Sequence, residues 1–132
     1  MAKVYFDAAT KGNPGVSACA VVIVTDSARY HFEKDLGEME NNHLAEWEAL
    51  IFAMACAQDL QLDTLLLHTD SKVIADSVEA NYVKNKAFQP YMASYHTYMP
   101  HFDLVFIKWV ARNQNKEANH YAKQALHRYY GY

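Results

Sequence analysis

The 132-residue sequence has no apolar run long enough to cross a bilayer. Its opening residues meet Lys3 and then Asp7 before a hydrophobic stretch can build, so no secretory leader is expected. Only two cysteines are present, Cys19 and Cys56, without metal-type spacing. They are expected to be buried, reduced thiols of a cytoplasmic protein. Positive charge is also scarce. Lys and Arg total 12 against 15 Asp and Glu, a formal net charge of -3. That argues against a strong sequence-independent grip on nucleic acid, unless bound cations or a local basic patch reverse the field. Repeats, linkers and low-complexity segments are absent as well. With 52% hydrophobic and 20% charged residues, the chain has enough apolar matter to bury, which excludes a disordered protein. Residues 1–132 fit one domain with a single core.

What is present begins with a hairpin. Val4 to Phe6 reads as a buried strand, the turn Gly12-Asn13-Pro14-Gly15 follows, and Val16 to Val24 is a strand covered on both faces. Ala28 to Leu36 alternates as a third antiparallel strand nearer an edge, and Glu38 to Asn42 is a polar connection. Leu44, Trp47, Leu50, Ile51 and Met54 recur at helical steps and predict a helix from about His43 to Leu60. Asn41 or Asn42 is its N-cap, and Glu46 and Glu48 favour its first turns. Leu65 to Leu67 is a short buried strand closed by His68-Thr69-Asp70. Ser71 to Tyr82 is helical with Val73, Ile74, Val78 and Tyr82 inward, and an aromatic helix spans Gln89 to Met99. A strand from Phe102 to Val110 and a helix from Lys116 to Tyr130 complete the chain. The order βββαβααβα implies an α/β fold, a five-stranded mixed sheet flanked by helices.

Three acids interrupt this apolar pattern. Asp7 falls inside or at the end of the first strand, where a carboxylate needs compensation or else merely marks a strand end. Asp70 ends a later strand just before a helix, and Glu46 lies on the helical turn that carries Leu50. Strand ends beside helix starts are where such sheets hold their sites. Acids that converge there repel, and a shared proton or a divalent cation relieves the repulsion. Oxygen ligands without His or Cys favour magnesium or manganese over zinc. Such ions activate water and stabilise a leaving oxygen in phosphodiester hydrolysis.

The motifs around these acids resemble those of the ribonuclease H family (type 1) over nearly the whole chain. Asp7-Ala8-Ala9-Thr10-Lys11-Gly12-Asn13-Pro14-Gly15 is similar to the family's Asp-Gly-x-x-x-Gly-Asn-Pro-Gly opening. Asn42-His43-Leu44-Ala45-Glu46 resembles its Asn-x-x-Ala-Glu signature, and Thr69-Asp70-Ser71 its strand-end Thr-Asp-Ser. The Asn-His variant looks most like short bacterial, reverse-transcriptase-like members. The resemblance implies that Asp7, Glu46 and Asp70 hold two divalent ions, Mg2+ or Mn2+, about 4 Å apart. It implies backbone contacts from Asn13, Asn42 and Ser71, and an RNA–DNA hybrid read by its 2′-hydroxyls and shape. The expected partner is therefore the hybrid, with no membrane and no small-molecule cofactor, and the protein a monomer.

The sequence also departs from the family. The last helix normally carries a fourth acid in an Ala-Asp-x-x-Ala context, and here that position is Asn119. An amide keeps an oxygen ligand but loses a charge, so Asn119 is either a weaker ligand in a slower enzyme or the mark of a chain losing catalysis. The preceding loop has Arg112, a phosphate contact or a solvated side chain, in place of the mobile histidine of some relatives. His43 and His120 flank the site. Lys84 and Lys86 are the only trace of the basic insertion of longer relatives, so hybrid affinity is expected to be modest and salt-sensitive. An endonuclease cutting the RNA strand of hybrids is the leading reading. A catalytically impaired module binding nucleic acid or a protein partner is the alternative. An exonuclease or resolvase is disfavoured because Asp7 has no Asp-x-Glu partner. Tyr129-Tyr130-Gly131-Tyr132 offers either a partner surface or a packed terminus.

Overall fold

A computed structural model describes residues 1–131. The chain forms β1 (Ala2–Gly12), β2 (Gly15–Val24), β3 (Arg29–Met39), α1 (Asn42–Asp59), β4 (Thr64–Thr69), α2 (Lys72–Ala80), α3 (Gln89–Tyr98), β5 (Leu104–Trp109) and α4 (Lys116–Tyr130). Single 3₁₀ turns, Met99–His101 and Arg112–Gln114, precede β5 and α4. The element order and mixed five-stranded sheet are those expected from the sequence. The strands lie in the order β3-β2-β1-β4-β5, with β1, β2 and β3 antiparallel and β4 parallel to both β1 and β5.

The first hairpin is longer than its apolar run suggested. Pairing continues from Lys3↔Val24 to Gly12↔Gly15, so Asp7 sits mid-strand opposite Ala20 and not at a strand end. The tight turn depends on glycine. Gly12 has φ +92°, and a Cβ on Gly15 would stand 1.8 Å from the Lys11 carbonyl oxygen. β3 reaches Met39, which absorbs the first two residues of the expected polar connection, because Gly15↔Met39 pairing continues past a bulge at Leu36. β5 is shorter than the expected Phe102–Val110 span, its regular pairing ending at Trp109.

α1, α2 and α3 cover one face of the sheet, where Phe6, Trp47, Leu50, Leu65, Leu67 and Tyr95 form the main core. α4 covers the other face over β1, β2 and β3. Its Ala122, Ala125 and Leu126 meet Ala9, Ala18 and Ala20, small residues that let helix and sheet approach closely. Both cysteines are buried and free. The helix starts and faces need three corrections. Asn41, one of the two expected caps, does cap α1 by accepting from the Leu44 N–H at 3.0 Å, but the first turn contains no acid, since Glu46 and Glu48 lie a turn further on. Ser71 caps α2. Val73 and Tyr82 point outward, 45% and 64% exposed, because α2 presents only Ile74, Ala75, Ser77 and Val78 to the core and ends in left-handed Asn81. At the far end of α4, Tyr130 donates to Asp35 and Arg128 to Glu33, so this terminus is packed on β3. Tyr132 lies outside the described residues. Among the described residues, no helix is long and apolar enough to cross a membrane.

Candidate active site

The last paired residues of β1 and β4 are Tyr5 and His68. Beyond them β1 runs on with β2 alone, while β4 turns away after Thr69 into α2. A crevice opens there at the carboxyl end of β4, the place where an open α/β sheet exposes its sites. Asp7 stands on one lip of this crevice and Asp70 on the other. The turn that carries Asp70 is held by its neighbours. Thr69, fully buried, accepts from the Ser71 N–H through Oγ1 at 3.0 Å, and the Asp70 carbonyl accepts from Trp109 Nε1 at 3.1 Å.

Glu46 reaches the crevice from α1. One oxygen each of Asp7, Glu46 and Asp70 lies within 4.8 Å of the others. Asp7 is 1% exposed. Glu46 Oε2 and Asp70 Oδ2 are buried without a hydrogen-bond partner. Unpaired carboxylate oxygens facing one another in low dielectric call for a cation or a proton. Burial, then the neighbouring Asp7 charge, raises the Glu46 carboxyl well above the usual range. Burial also raises Asp7, opposed by its hydrogen bond from Asn119 and reinforced by the charge of Asp70. The donor set fits a hard divalent ion, with oxygens only and two of them unsatisfied.

Asn119 is in this cluster, but as a donor. Its Nδ2 gives a hydrogen bond to Asp7 Oδ2 at 2.7 Å, so the amide partly neutralises Asp7. Asn115, the residue just before α4, donates from Nδ2 to the Phe6 carbonyl at 3.0 Å and ties the start of α4 to the strand that carries Asp7.

The other expected residues form the rim. Asn13 Oδ1 accepts from the Asn42 N–H at 3.1 Å, so the hairpin turn docks on the start of α1. Asn42 precedes Glu46 by one helical turn and lines two clefts with it, of about 220 and 290 Å³. Arg112, exposed in its 3₁₀ turn, borders both clefts; Ser71 and His43 border the larger. The Ser71 hydroxyl is engaged as the α2 cap, accepting from the Ile74 N–H at 3.3 Å. His120 borders neither cleft and packs its ring against Tyr121. Sequence reasoning overlooked Lys123, which lines the smaller cleft beside Glu46 and Asn119. Its signal was available, four residues after Asn119 and so on the same helix face. The Trp109 contact to the Asp70 carbonyl had no sequence signal, since it joins the ends of two strands 39 residues apart.

Comparison with known proteins places this geometry. The reverse transcriptase-like family profile matches residues 5–125. A protein of Enterococcus faecalis named "Putative hydrolase EbsB" is 43% identical over 132 residues, covering 98% of this chain and 97% of its own length. Ribonuclease HI of Halobacterium salinarum is 30% identical over 125 residues, which are 92% of this chain and 62% of that protein. The crystal structure of the H. salinarum RNase H1 superposes with a TM-score of 0.88 at 28% identity, covering 95% of this chain and 96% of that one. The structure of LC11-RNase H1 in complex with RNA/DNA hybrid has the same fold, with a TM-score of 0.87 at 23% identity over 97% of this chain and 98% of that one. With its acids clustered at the mouth of a ribonuclease H fold, the chain belongs to the reverse transcriptase-like family.

Proposed function

We propose that the protein is a metal-dependent endonuclease that hydrolyses the RNA strand of RNA–DNA hybrids. The fold and family are those of a ribonuclease H-type hydrolase. The observation that carries the reading is the cluster of three carboxylates within 4.8 Å, two of whose oxygens are buried without partners. In this reading Asp7, Glu46 and Asp70 hold two divalent ions, Mg2+ or Mn2+, and Asn119 turns its amide to present its oxygen. When bound, the ions supply an activated water and offset charge on the scissile phosphate and departing 3′-oxygen. The chain itself does the positioning. Asn13 and Asn42, already joined, meet the sugar-phosphate backbone beside the acids, and Ser71 closes the α2 side. Arg112 at both clefts, Lys123 at the smaller and Lys72 at the larger bring positive charge beside the acids, where phosphates would lie. Asp7 is buried, which strengthens every charge interaction there.

One observation favours the second reading, a catalytically impaired module that binds nucleic acid or a protein partner. Asn119 gives its N–H to Asp7, a contact that occupies one Asp7 oxygen. A labelled hybrid incubated with the protein in Mg2+ and in Mn2+ separates the two. Cleavage that Asp70→Asn abolishes and Asn119→Asp increases supports the nuclease. No cleavage in either metal, at high protein and low salt, leaves the binding module.

A further inference from the structure

The sheet is unequally covered. α2 packs on β4 and β5 from the main-core side, while α4 on the opposite side packs on β1, β2 and β3. Leu65, Leu67, Val105 and Ile107 face the core. Strand alternation therefore turns Leu66, His68, Leu104, Phe106 and Lys108 to the side without a helix. Leu104 and Phe106 are 52% and 47% exposed there.

Register shows what this face carries. Arg29, Val24, Lys3, Leu66 and Phe106 are successive partners across all five strands. In the next row Tyr5, His68 and Lys108 are partners across β1, β4 and β5. The Tyr5 and His68 rings stack at 4.2 Å, and His68 Nδ1 is anchored 3.3 Å from the Val4 carbonyl. Tyr5, Lys3 and Arg29 also border a cleft of about 320 Å³ closed by Lys116 and the start of α4. It is larger than either cleft beside the acids, and Asn113 to Lys116 line it but neither of those.

Charge selects the occupant. In a chain of net charge -3, this face gathers Lys3, Lys108, Lys116 and Arg29. Glu117 is paired with Arg29 at 2.5 Å and offsets its charge, so the three lysines carry the positive excess. On the same side, two residues beyond Tyr5 and His68, come Asp7, buried and hydrogen-bonded by Asn119, and Asp70, while Asp26 and Asp63 stand in a separate hollow at the opposite end. His68 is buried beneath this row, so the half-exposed Phe106 and partly exposed Tyr5, with Lys3 and Lys108 beside them, are the rings that suit stacked bases with phosphates alongside. A duplex keeps its base faces inside and cannot use the rings. A second copy docked about a two-fold axis would bring these lysines against their own counterparts.

We propose that the open β1-β4-β5 face, with the cleft at the start of α4, binds single-stranded nucleic acid. The face adjoins the acid cluster but uses none of its residues, so its binding is measured without metal and stands apart from the cleavage reading. The test is fluorescence anisotropy of labelled 12-nucleotide RNA and DNA single strands with the intact protein in EDTA, over a salt series. Lys3→Gln and Lys108→Gln are each expected to reduce the slope of log K against log salt by about 0.7. Phe106→Ala is expected to weaken binding about tenfold with the slope unchanged, as loss of one base–aromatic contact does. All three residues are surface positions, and unchanged melting temperatures show that the variants fold. Absence of single-strand binding at low salt overturns the proposal. So does binding that none of the three substitutions alters. Sedimentation showing a dimer that Phe106→Ala dissociates gives the face to a second copy and overturns it equally.

Discussion

Asn119→Asp is the substitution that tests the candidate site most directly. Asn119 donates to Asp7 at 2.7 Å, a bond to a charged group of the kind that contributes about 1.5–3 kcal/mol. A carboxylate removes that donor and adds a like charge. At an effective dielectric of about 20, unit charges about 4 Å apart repel by about 4 kcal/mol, which the new group relieves in part by taking up a proton. A net loss of about 2–4 kcal/mol is expected at pH 7. For a chain of this size that lowers the melting temperature in EDTA by about 10 °C. Divalent ions should reverse the order, because a fourth carboxylate strengthens the same set of ligands. At a concentration about 100 times the dissociation constant, a ligand bound only to the folded state adds about 2.7 kcal/mol. The variant should therefore gain more from Mg2+ than the parent does, in calorimetric melts at rising Mg2+. A variant that melts with the parent in EDTA, or that responds to Mg2+ no more strongly, refutes the assigned contact between Asn119 and Asp7.

The raised carboxyls of Asp7 and Glu46 make a further, pH-linked prediction. A group whose carboxyl is raised on folding stabilises the protein below its ordinary value, here 3.8 and 4.5, and loses that contribution as pH climbs through the raised value. Metal-free stability should thus rise as pH falls from 7 toward 5, and Glu46→Gln should flatten the rise in urea midpoints. His68 acts in the opposite sense, since burial lowers its pKa and disfavours protonation below 6.5, so the comparison with Glu46→Gln isolates the acids. Gly15→Ala should cost more than about 2 kcal/mol, because its Cβ would collide with the Lys11 carbonyl, and the loss is read in the same urea midpoints. Asn13→Ala removes an exposed bond to the α1 backbone, so it should cost only about 0.5–1 kcal/mol while raising KM for hybrid severalfold. Trp47→Phe should fall within about 1 kcal/mol of the parent, since Trp47 Nε1 is buried without a partner, whereas Trp47→Ala should cost about 3–5 kcal/mol.

By itself the sequence determined the element order and the three acids. Apolar periods of two and of three to four residues are local properties, and Asp7, Glu46 and Asp70 stand out because each interrupts an apolar pattern or lies beside one. It also marked Asn119 as the departure in α4. Tertiary structure decided the rest, for reasons that local pattern cannot contain. Asp7 is mid-strand because β2 pairs along the full hairpin, and it lines the crevice because β4 leaves β1 at Tyr5↔His68. Whether Asn119 offers oxygen or N–H to Asp7 depends on how α4 meets β1, a contact 112 residues apart in sequence. Lys123 joins the site only because α4 lies over the same crevice. The lysines beside Tyr5 and Phe106 become one surface only through the register of β1, β4 and β5, together with a helix that stops short of them.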